Sequence, residues 1–207
     1  MKRLIIFITI GLFLCGIFYN SKQVSAEGDN NTLEDISSKI IRFHVIANSD
    51  TEDDQSLKLK VRDKVLEYIS PKLKECKNID ESRKIMKENN DTIINICNET
   101  IKDLGYKYSV KTTLGRENFP VKTYGNITLP QGNYEAYRIV IGTGEGHNWW
   151  CIMFPPLCFA DVTKVEVDEK KAENEMKTVL DDKEYNFINN KKSNVKVKFK
   201  VLELLNK

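Results

Sequence analysis

The chain has 207 residues, of which 32 are Lys or Arg and 30 are Asp or Glu, so its formal net charge is only +2. The two signs are interspersed, and no stretch supplies the concentrated basic face that nucleic-acid binding requires. Beyond the N-terminal segment, no second apolar run reaches the length that spans a bilayer. The composition therefore argues against a nucleic-acid partner and against a multispan membrane protein.

The first 26 residues have the pattern of an export signal. Lys2 and Arg3 precede an apolar run over residues 4–19, and Val24-Ser25-Ala26 places small residues at the positions that signal peptidase reads. We predict a signal peptide over residues 1–26. A membrane anchor over residues 4–19 remains the alternative, because the run is near the lower length limit for a spanning helix. In both cases the rest of the chain leaves the cytosol, and membrane contact is confined to this segment.

A linker, a strand and a helix are expected next. Residues 27–39 are polar and predict a loose linker before a single domain over residues 40–207. Residues 40–46 form a short run rich in β-branched and aromatic residues, which is typical of a strand; its apolar members are Ile40, Ile41, Phe43, Val45 and Ile46. Thr51 follows with the spacing of a capping box, and it predicts the start of a helix that ends before Pro71.

Hydrophobic periodicity assigns the remaining elements. The predicted order is a helix over 80–104 with Gly105 as its C-cap, strands over 106–114, 123–129, 134–141 and 148–154, a helix over 168–180 and a strand over 195–201. The strands over 134–141 and 148–154 are expected to form a hairpin. This order predicts an α+β domain with a mainly antiparallel sheet and two or three helices packed on one face.

Residues 142–161, GTGEGHNWWCIMFPPLCFAD, hold both tryptophans, one of the two histidines and two of the five cysteines. The glycines lack the Lys-Ser/Thr ending of a phosphate-binding loop and indicate a hairpin connection instead. Trp149 and Trp150 are adjacent in a strand, so they are expected to point to opposite faces. One can fill the core, while the other either does the same or anchors a partner.

The cysteines leave four alternatives open, one of which is that Cys151 and Cys158 are free, buried thiols. A catalytic thiolate at Cys151 is disfavoured by its apolar neighbours, which raise a thiol pKa. His44, His147, Cys151 and Cys158 are residue types that zinc favours, although their spacing matches no zinc motif. A reversal of the chain at Pro155-Pro156 would bring Cys151 and Cys158 within disulfide reach, and an oxidising exported setting would favour this candidate disulfide.

Three motifs resemble a known family. They are IRFHVIANSD at 41–50, DQSLKLKVRD at 54–63 and GEGHNWWCIMFPPLCF at 144–159. Together they closely resemble the stage II sporulation protein R family of spore-forming bacteria, with the likeness extending over about residues 40–165. The N-terminal signal is also what that family would require.

The resemblance implies a function that the spacing of residues does not. Such proteins are made in the forespore and exported into the space between the two membranes that separate it from the mother cell. There they trigger a membrane-embedded aspartic protease that processes pro-sigma-E. We therefore expect a binding protein without a cofactor or metal, with Asn48, His147, Trp149 and Trp150 as candidate partner-binding residues. The alternative is an envelope-acting hydrolase, or a metal or thiol enzyme, centred on His147, Cys151 and Cys158.

Overall fold

The computed structural model describes residues 31–158 and 169–190. The signal segment over 1–26 and the strand predicted over 195–201 lie outside these residues. Within the described ranges, no helix combines the length and the hydropathy that a membrane span needs. The helices are α1 (31–39), α2 (Glu52–Lys74), α3 (Ile79–Glu88), α4 (Asn90–Asp103), α5 (Glu169–Lys177) and α6 (Asp182–Ile188). The strands are β1 (Ile41–Ile46), β2 (Val110–Phe119), β3 (Lys122–Tyr124), β4 (Ile127–Leu129), β5 (Gly132–Ile141) and β6 (Asn148–Phe154).

The main sheet is mixed and has four strands in the order β2-β5-β1-β6. β1 is parallel to β5 and antiparallel to β6, and β2 is antiparallel to β5. The predicted hairpin between β5 and β6 is therefore wrong, because β1 lies between them. The reason is visible in β1 itself: its first five residues are buried, and a strand buried on both faces belongs in the centre of a sheet.

The sheet has a hydrophobic core on each face. On the first face, Phe43 and Ile139 belong to one cluster with buried residues of α2, α3 and α4. On the second face, Tyr134 and Ile152 belong to another cluster with residues of α1, the β3–β4 hairpin, α5 and α6. The fold is α+β as predicted, but the prediction that the helices pack on one face is wrong. Because β5 and β6 carry large apolar side chains on both faces, both faces need a cover.

The predicted loose linker is wrong for residues 31–39, which form α1. Ile36 is fully buried in the second core, and the ammonium of Lys39 lies 2.6 Å from a carboxylate oxygen of Glu184 in α6. Only Leu33 and Ile36 give this segment an apolar side, so its sequence carries little helical periodicity. Tertiary packing supplies most of the stability of such a short helix.

Two predicted helix boundaries are also wrong. α2 begins as expected, with the Thr51 side chain accepting a hydrogen bond from the Asp54 backbone N–H, but it continues through Pro71 to Lys74. Leu73 is fully buried and anchors this last turn, which offsets the one hydrogen bond that Pro71 cannot donate. The helix predicted over 80–104 is divided into α3 and α4 at Asn89, whose side chain accepts a hydrogen bond from the Tyr68 hydroxyl at 2.6 Å.

Further boundaries shift without changing the order of elements. β2 occupies Val110–Phe119 instead of 106–114, and the segment 123–129 is a two-stranded hairpin instead of one strand. The described part of the helix predicted over 168–180 is α5. It is followed by α6, a helix of seven residues that was not predicted, which begins with a full capping box formed by Asp181 and Glu184. The strand bounds of β6 agree with the prediction.

Candidate functional site

Two loops lie side by side at one end of the main sheet. Residues 47–51 connect β1 to α2, and residues 142–147 connect β5 to β6. Because β1 and β5 are parallel neighbours, both loops leave the sheet at the carboxyl ends of these strands. We call residues 47–51 and 142–147 the loop pair. It brings together parts of two of the three motifs that carry the family resemblance, IRFHVIANSD and GEGHNWWCIMFPPLCF.

Asn48 holds the loop pair together. Its side-chain oxygen accepts a hydrogen bond from the Thr143 backbone N–H at 3.1 Å, and its backbone oxygen accepts bonds from the Thr143 hydroxyl at 2.9 Å and the Glu145 N–H at 3.2 Å. Its side-chain amide donates to the Asp54 carboxylate at 2.9 Å. Asn48 is half-buried, and these bonds assign it a structural role within the predicted contact surface.

Two glycines let the loops approach each other closely. Gly142 has a φ of +61°, and a Cβ there would collide with the side chain of Asn48. A Cβ on Gly146 would collide with the backbone carbonyl of Ser49, and the Gly146 N–H donates to the Ala47 oxygen at 3.0 Å. The glycines predicted as a hairpin connection therefore serve close backbone packing against the neighbouring loop.

His147 is an exposed residue of the loop pair. Its backbone N–H donates to the Asp50 carboxylate at 2.6 Å, and its Nδ1 contacts the same oxygen. These contacts, the backbone hydrogen bond first, lower the pKa of Asp50. The His147 side chain is nevertheless 79% exposed, while Lys58 donates to its backbone oxygen at 2.9 Å. The imidazole is thus presented to solvent from a fixed position.

Asp54 anchors the loop pair to the first turn of α2. Burial acts to raise the pKa of this carboxyl, but hydrogen bonds from Ser49, Asn48 and Tyr108 outweigh it, and the net shift is downward. The Ser49 hydroxyl donates at 2.5 Å. The carboxylate therefore stays ionised near the helix N-terminus, where negative charge is favoured. Asp54 therefore stabilises the first turn of α2 and anchors the loop pair to it.

The two tryptophans point to opposite faces of β6, as the alternation predicted. Trp149 belongs to the periphery of the first core, where its ring meets Phe43 edge-on at 5.7 Å and the Arg62 guanidinium lies 4.9 Å from its ring centre. Trp150 borders the second core and stacks on His44, with ring centroids 4.8 Å apart. Both indoles are half-buried, so each combines core packing with an accessible part.

Cys151 and Cys158 are joined by a disulfide, with their Cα atoms 5.8 Å apart. The bridge closes the turn after β6, where the Cys158 N–H donates to the Ile152 carbonyl at 3.2 Å. Cys76 and Cys97 are free. Burial raises the pKa of the Cys97 thiol to about 12, so this cysteine is an inert part of the first core.

The four residues considered as zinc ligands are not brought together. The ring of His44 stacks on Trp150 on the second face, whereas Cys151 lies in the first core and is bridged to Cys158. His147 lies in the loop pair. Over residues 31–158 and 169–190, no three His, Cys, Asp or Glu side chains form a metal-binding group.

A buried cationic cluster beneath Trp150 was not identified from the sequence. Arg42 is fully buried, donates to the Tyr124 hydroxyl at 2.9 Å and lies over the Phe119 ring at 4.2 Å. His44 is 4% exposed, and its pKa is lowered to about 4 by burial and by the charges of Arg138 and Arg42. The one available signal was that Arg42 and His44 alternate with apolar residues in a strand that is otherwise wholly apolar.

The Asp50–His147 pair has the form of a carboxylate that orients a base. Hydrolases that use such a base require a nucleophile within hydrogen-bond reach of its other ring nitrogen. Among the described residues, no hydroxyl or thiol makes a hydrogen bond with that nitrogen, and the disulfide occupies the sulfur atoms of Cys151 and Cys158. In this pair, Asp50 orients an exposed imidazole next to β6, whose Trp149 and Trp150 are half-buried.

The fold and this site define a class of protein: an α+β domain whose mixed sheet displays a rigid loop pair at one end. The model of the family described as stage II sporulation protein R matches residues 37–164. A stage II sporulation protein R from Bacillus subtilis (strain 168) is 36% identical over 187 residues, which cover 87% of this chain and 84% of the relative. No solved structure gives a match. The chain belongs to the stage II sporulation protein R family, and its role is therefore in sporulation.

Proposed function

We propose that the chain is an exported signal that activates the membrane-embedded aspartic protease responsible for processing pro-sigma-E. It acts by docking, from the space between the forespore and mother-cell membranes, and the protease performs the hydrolysis. The family and the signal-like segment over residues 1–26 support this proposal. The rival is an envelope-acting enzyme that uses His147, or the thiols of Cys151 and Cys158, for its own chemistry.

The observation that carries the proposal is the construction of the loop pair. Its backbone is fixed by Asn48, by the close approach of Gly146 and by the Asp50 contacts, while the His147 side chain projects into solvent. A surface fixed before contact loses little conformational entropy when a partner binds. To activate its receptor, a docking signal must in addition bind the active state better than the inactive state.

His147→Ala tests the proposal, since this side chain is exposed and its removal leaves both cores intact. We expect a folded and exported variant with reduced processing of pro-sigma-E in sporulating cells. Lys107→Ala, an exposed position outside the loop pair, is the control and keeps normal processing. If pro-sigma-E is processed normally in cells that carry His147→Ala, and also in cells that carry Trp149→Ala or Trp150→Ala, the docking surface lies elsewhere.

The rival makes a different prediction for the cysteines. A thiol-dependent enzyme loses its activity when Cys151 and Cys158 are both replaced by Ser, even if the variant remains folded. A docking protein retains activity to the extent that it remains folded. Processing by a folded double variant therefore argues against the thiol enzyme.

A further inference from the structure

β6 is an edge strand. Within residues 31–158 and 169–190 it forms one edge of the main sheet and β2 forms the other, so each pairs there with a neighbouring strand on one side only. Natural edge strands are usually protected from pairing with other chains by charged residues or proline. β2 has Lys111, Arg116 and Glu117 along its length, whereas β6 reads NWWCIMF and has neither charge nor proline.

One hydrogen bond identifies the backbone groups that β6 turns outward. The Cys158 N–H donates to the Ile152 carbonyl at 3.2 Å, so this carbonyl points away from β1, and the pairing with β1 is regular from Ile152 back to Asn148. Backbone groups alternate in direction along an antiparallel strand, so Trp150 and Asn148 also turn their N–H and C=O groups outward. The turn that ends at Cys158 covers the edge at Ile152. Among the described residues, no backbone hydrogen bond reaches the outward groups of Asn148 and Trp150.

An aromatic ring and a cation flank this open segment on each face of the sheet. Arg62 lies 4.9 Å from the ring centre of Trp149 on the first face, and the Lys122 ammonium lies 5.6 Å from that of Trp150 on the second. Arg62 is paired with Asp63 at 2.6 Å, and Lys122 has no carboxylate partner among the described residues. Because Arg62 is paired and its side chain is only 16% exposed, Lys122 supplies the unpaired positive charge beside the edge.

We propose that an extended segment of the partner protease, bearing acidic side chains, binds as an added strand beside residues 148–150. This inference rests on the proposed function and names its contact. Backbone hydrogen bonds to Asn148 and Trp150 supply affinity, as in other cases of strand addition. Side chains of the added strand alternate between the faces, where they meet Trp149 with Arg62 and Trp150 with Lys122. The acidic character of the segment follows from Lys122, which has no carboxylate partner in the described part of the chain.

Amide hydrogen exchange tests the added strand directly. The full chain is mixed with vesicles that contain the protease or with empty vesicles, and exchange is followed by residue. We expect the amide hydrogens of Asn148 and Trp150 to exchange at least about tenfold more slowly when the protease is present than with empty vesicles. The exchange rates of the outward-facing amides of β2 should be unchanged. Fast exchange at both amides while the protease is bound and active overturns the inference alone. So does slow exchange in the isolated chain, because the edge is then already covered. Absence of both binding and processing overturns the proposed function as well.

Charge reversal at Lys122 tests the chemistry of the segment. We expect Lys122→Glu to weaken binding to the protease vesicles by about tenfold at low salt, with a smaller effect at high salt. Lys111→Glu on β2 is the matched control and leaves binding unchanged. Unfolding midpoints establish that both variants are folded. Equal binding by the two variants contradicts the proposed acidic segment.

Discussion

The imidazole of His44 lies parallel to the indole of Trp150, with ring centroids 4.8 Å apart and an interplanar angle of 8°. The stack connects the partly accessible face of β6 to the buried cluster around Arg42. Neither ring nitrogen of His44 has a hydrogen-bond partner among the residues that the structure describes, and Arg42 and Arg138 place positive charge nearby. The neutral imidazole is therefore the form that the folded state accommodates.

This arrangement predicts that stability depends on pH. The pKa of His44 is lowered from 6.5 to about 4, so between these values the unfolded chain binds a proton that the folded chain does not. The free energy of unfolding therefore falls as the pH decreases through this window, and His44 contributes about 2 kcal/mol of the loss between pH 7 and pH 4.5. Urea unfolding of the wild type and His44→Phe at both pH values measures this contribution.

His147→Gln is the control for that experiment, because it leaves His44 in place and keeps the His44 contribution. If His44→Phe and the wild type lose the same free energy of unfolding on acidification, the assignment to His44 fails.

The close approach of the two loops predicts an asymmetry between glycines. Gly146→Ala places a methyl group against the Ser49 carbonyl, and we expect it to lower the free energy of unfolding by about 1–3 kcal/mol. Gly115→Ala in β2 meets no atom within 4 Å and is the matched control, with a change within about 0.5 kcal/mol. Equal unfolding midpoints for the two variants would show that the loops are not packed in this way.

The disulfide predicts a dependence on reductant. Replacing Cys151 and Cys158 together by Ala is expected to lower the free energy of unfolding by about 2 kcal/mol, because the short closed loop no longer restricts the unfolded chain. Reductant should destabilise the wild type by a similar amount and leave the double variant unchanged. Cys76→Ala, which removes a free and half-buried thiol, serves as the control. A wild type that is indifferent to reductant contradicts the bridge.

Asp50 is predicted to act through His147. Asp50→Asn removes the charge that holds the imidazole while leaving a side chain of similar size, so pro-sigma-E processing should decrease. The unfolding midpoint should stay close to that of the wild type, because Asp50 and His147 are both exposed. Glu52→Gln, an exposed acid in the first turn of α2, is the control. Normal processing by Asp50→Asn means that the orientation of His147 is irrelevant to docking.

Local sequence signals predicted individual elements better than their arrangement. The Thr51 cap, the strand over 148–154 and the opposite directions of Trp149 and Trp150 depend on neighbours in the chain, and the structure agrees with all three. The placement of β1 between β5 and β6 depends on contacts between residues about 100 apart, which periodicity does not encode.

The candidate site shows the same division. The sequence singled out Asn48 and His147, but it could not reveal that Asn48 organises the loops while His147 remains exposed. That distinction arises only once β1 and β5 are aligned in parallel. Helix α1 was missed because its stability comes from Ile36 in the second core and from the Lys39–Glu184 ion pair, both of which are tertiary contacts.

Reconstitution tests the central claim most directly. The purified full chain is added to vesicles that contain the protease and pro-sigma-E, and to vesicles that contain pro-sigma-E alone. Docking predicts processing only when the protease and the chain are both present, together with binding of the chain to the protease vesicles. Processing of pro-sigma-E by the chain without the protease, or an active protease that is indifferent to the chain, would contradict the account.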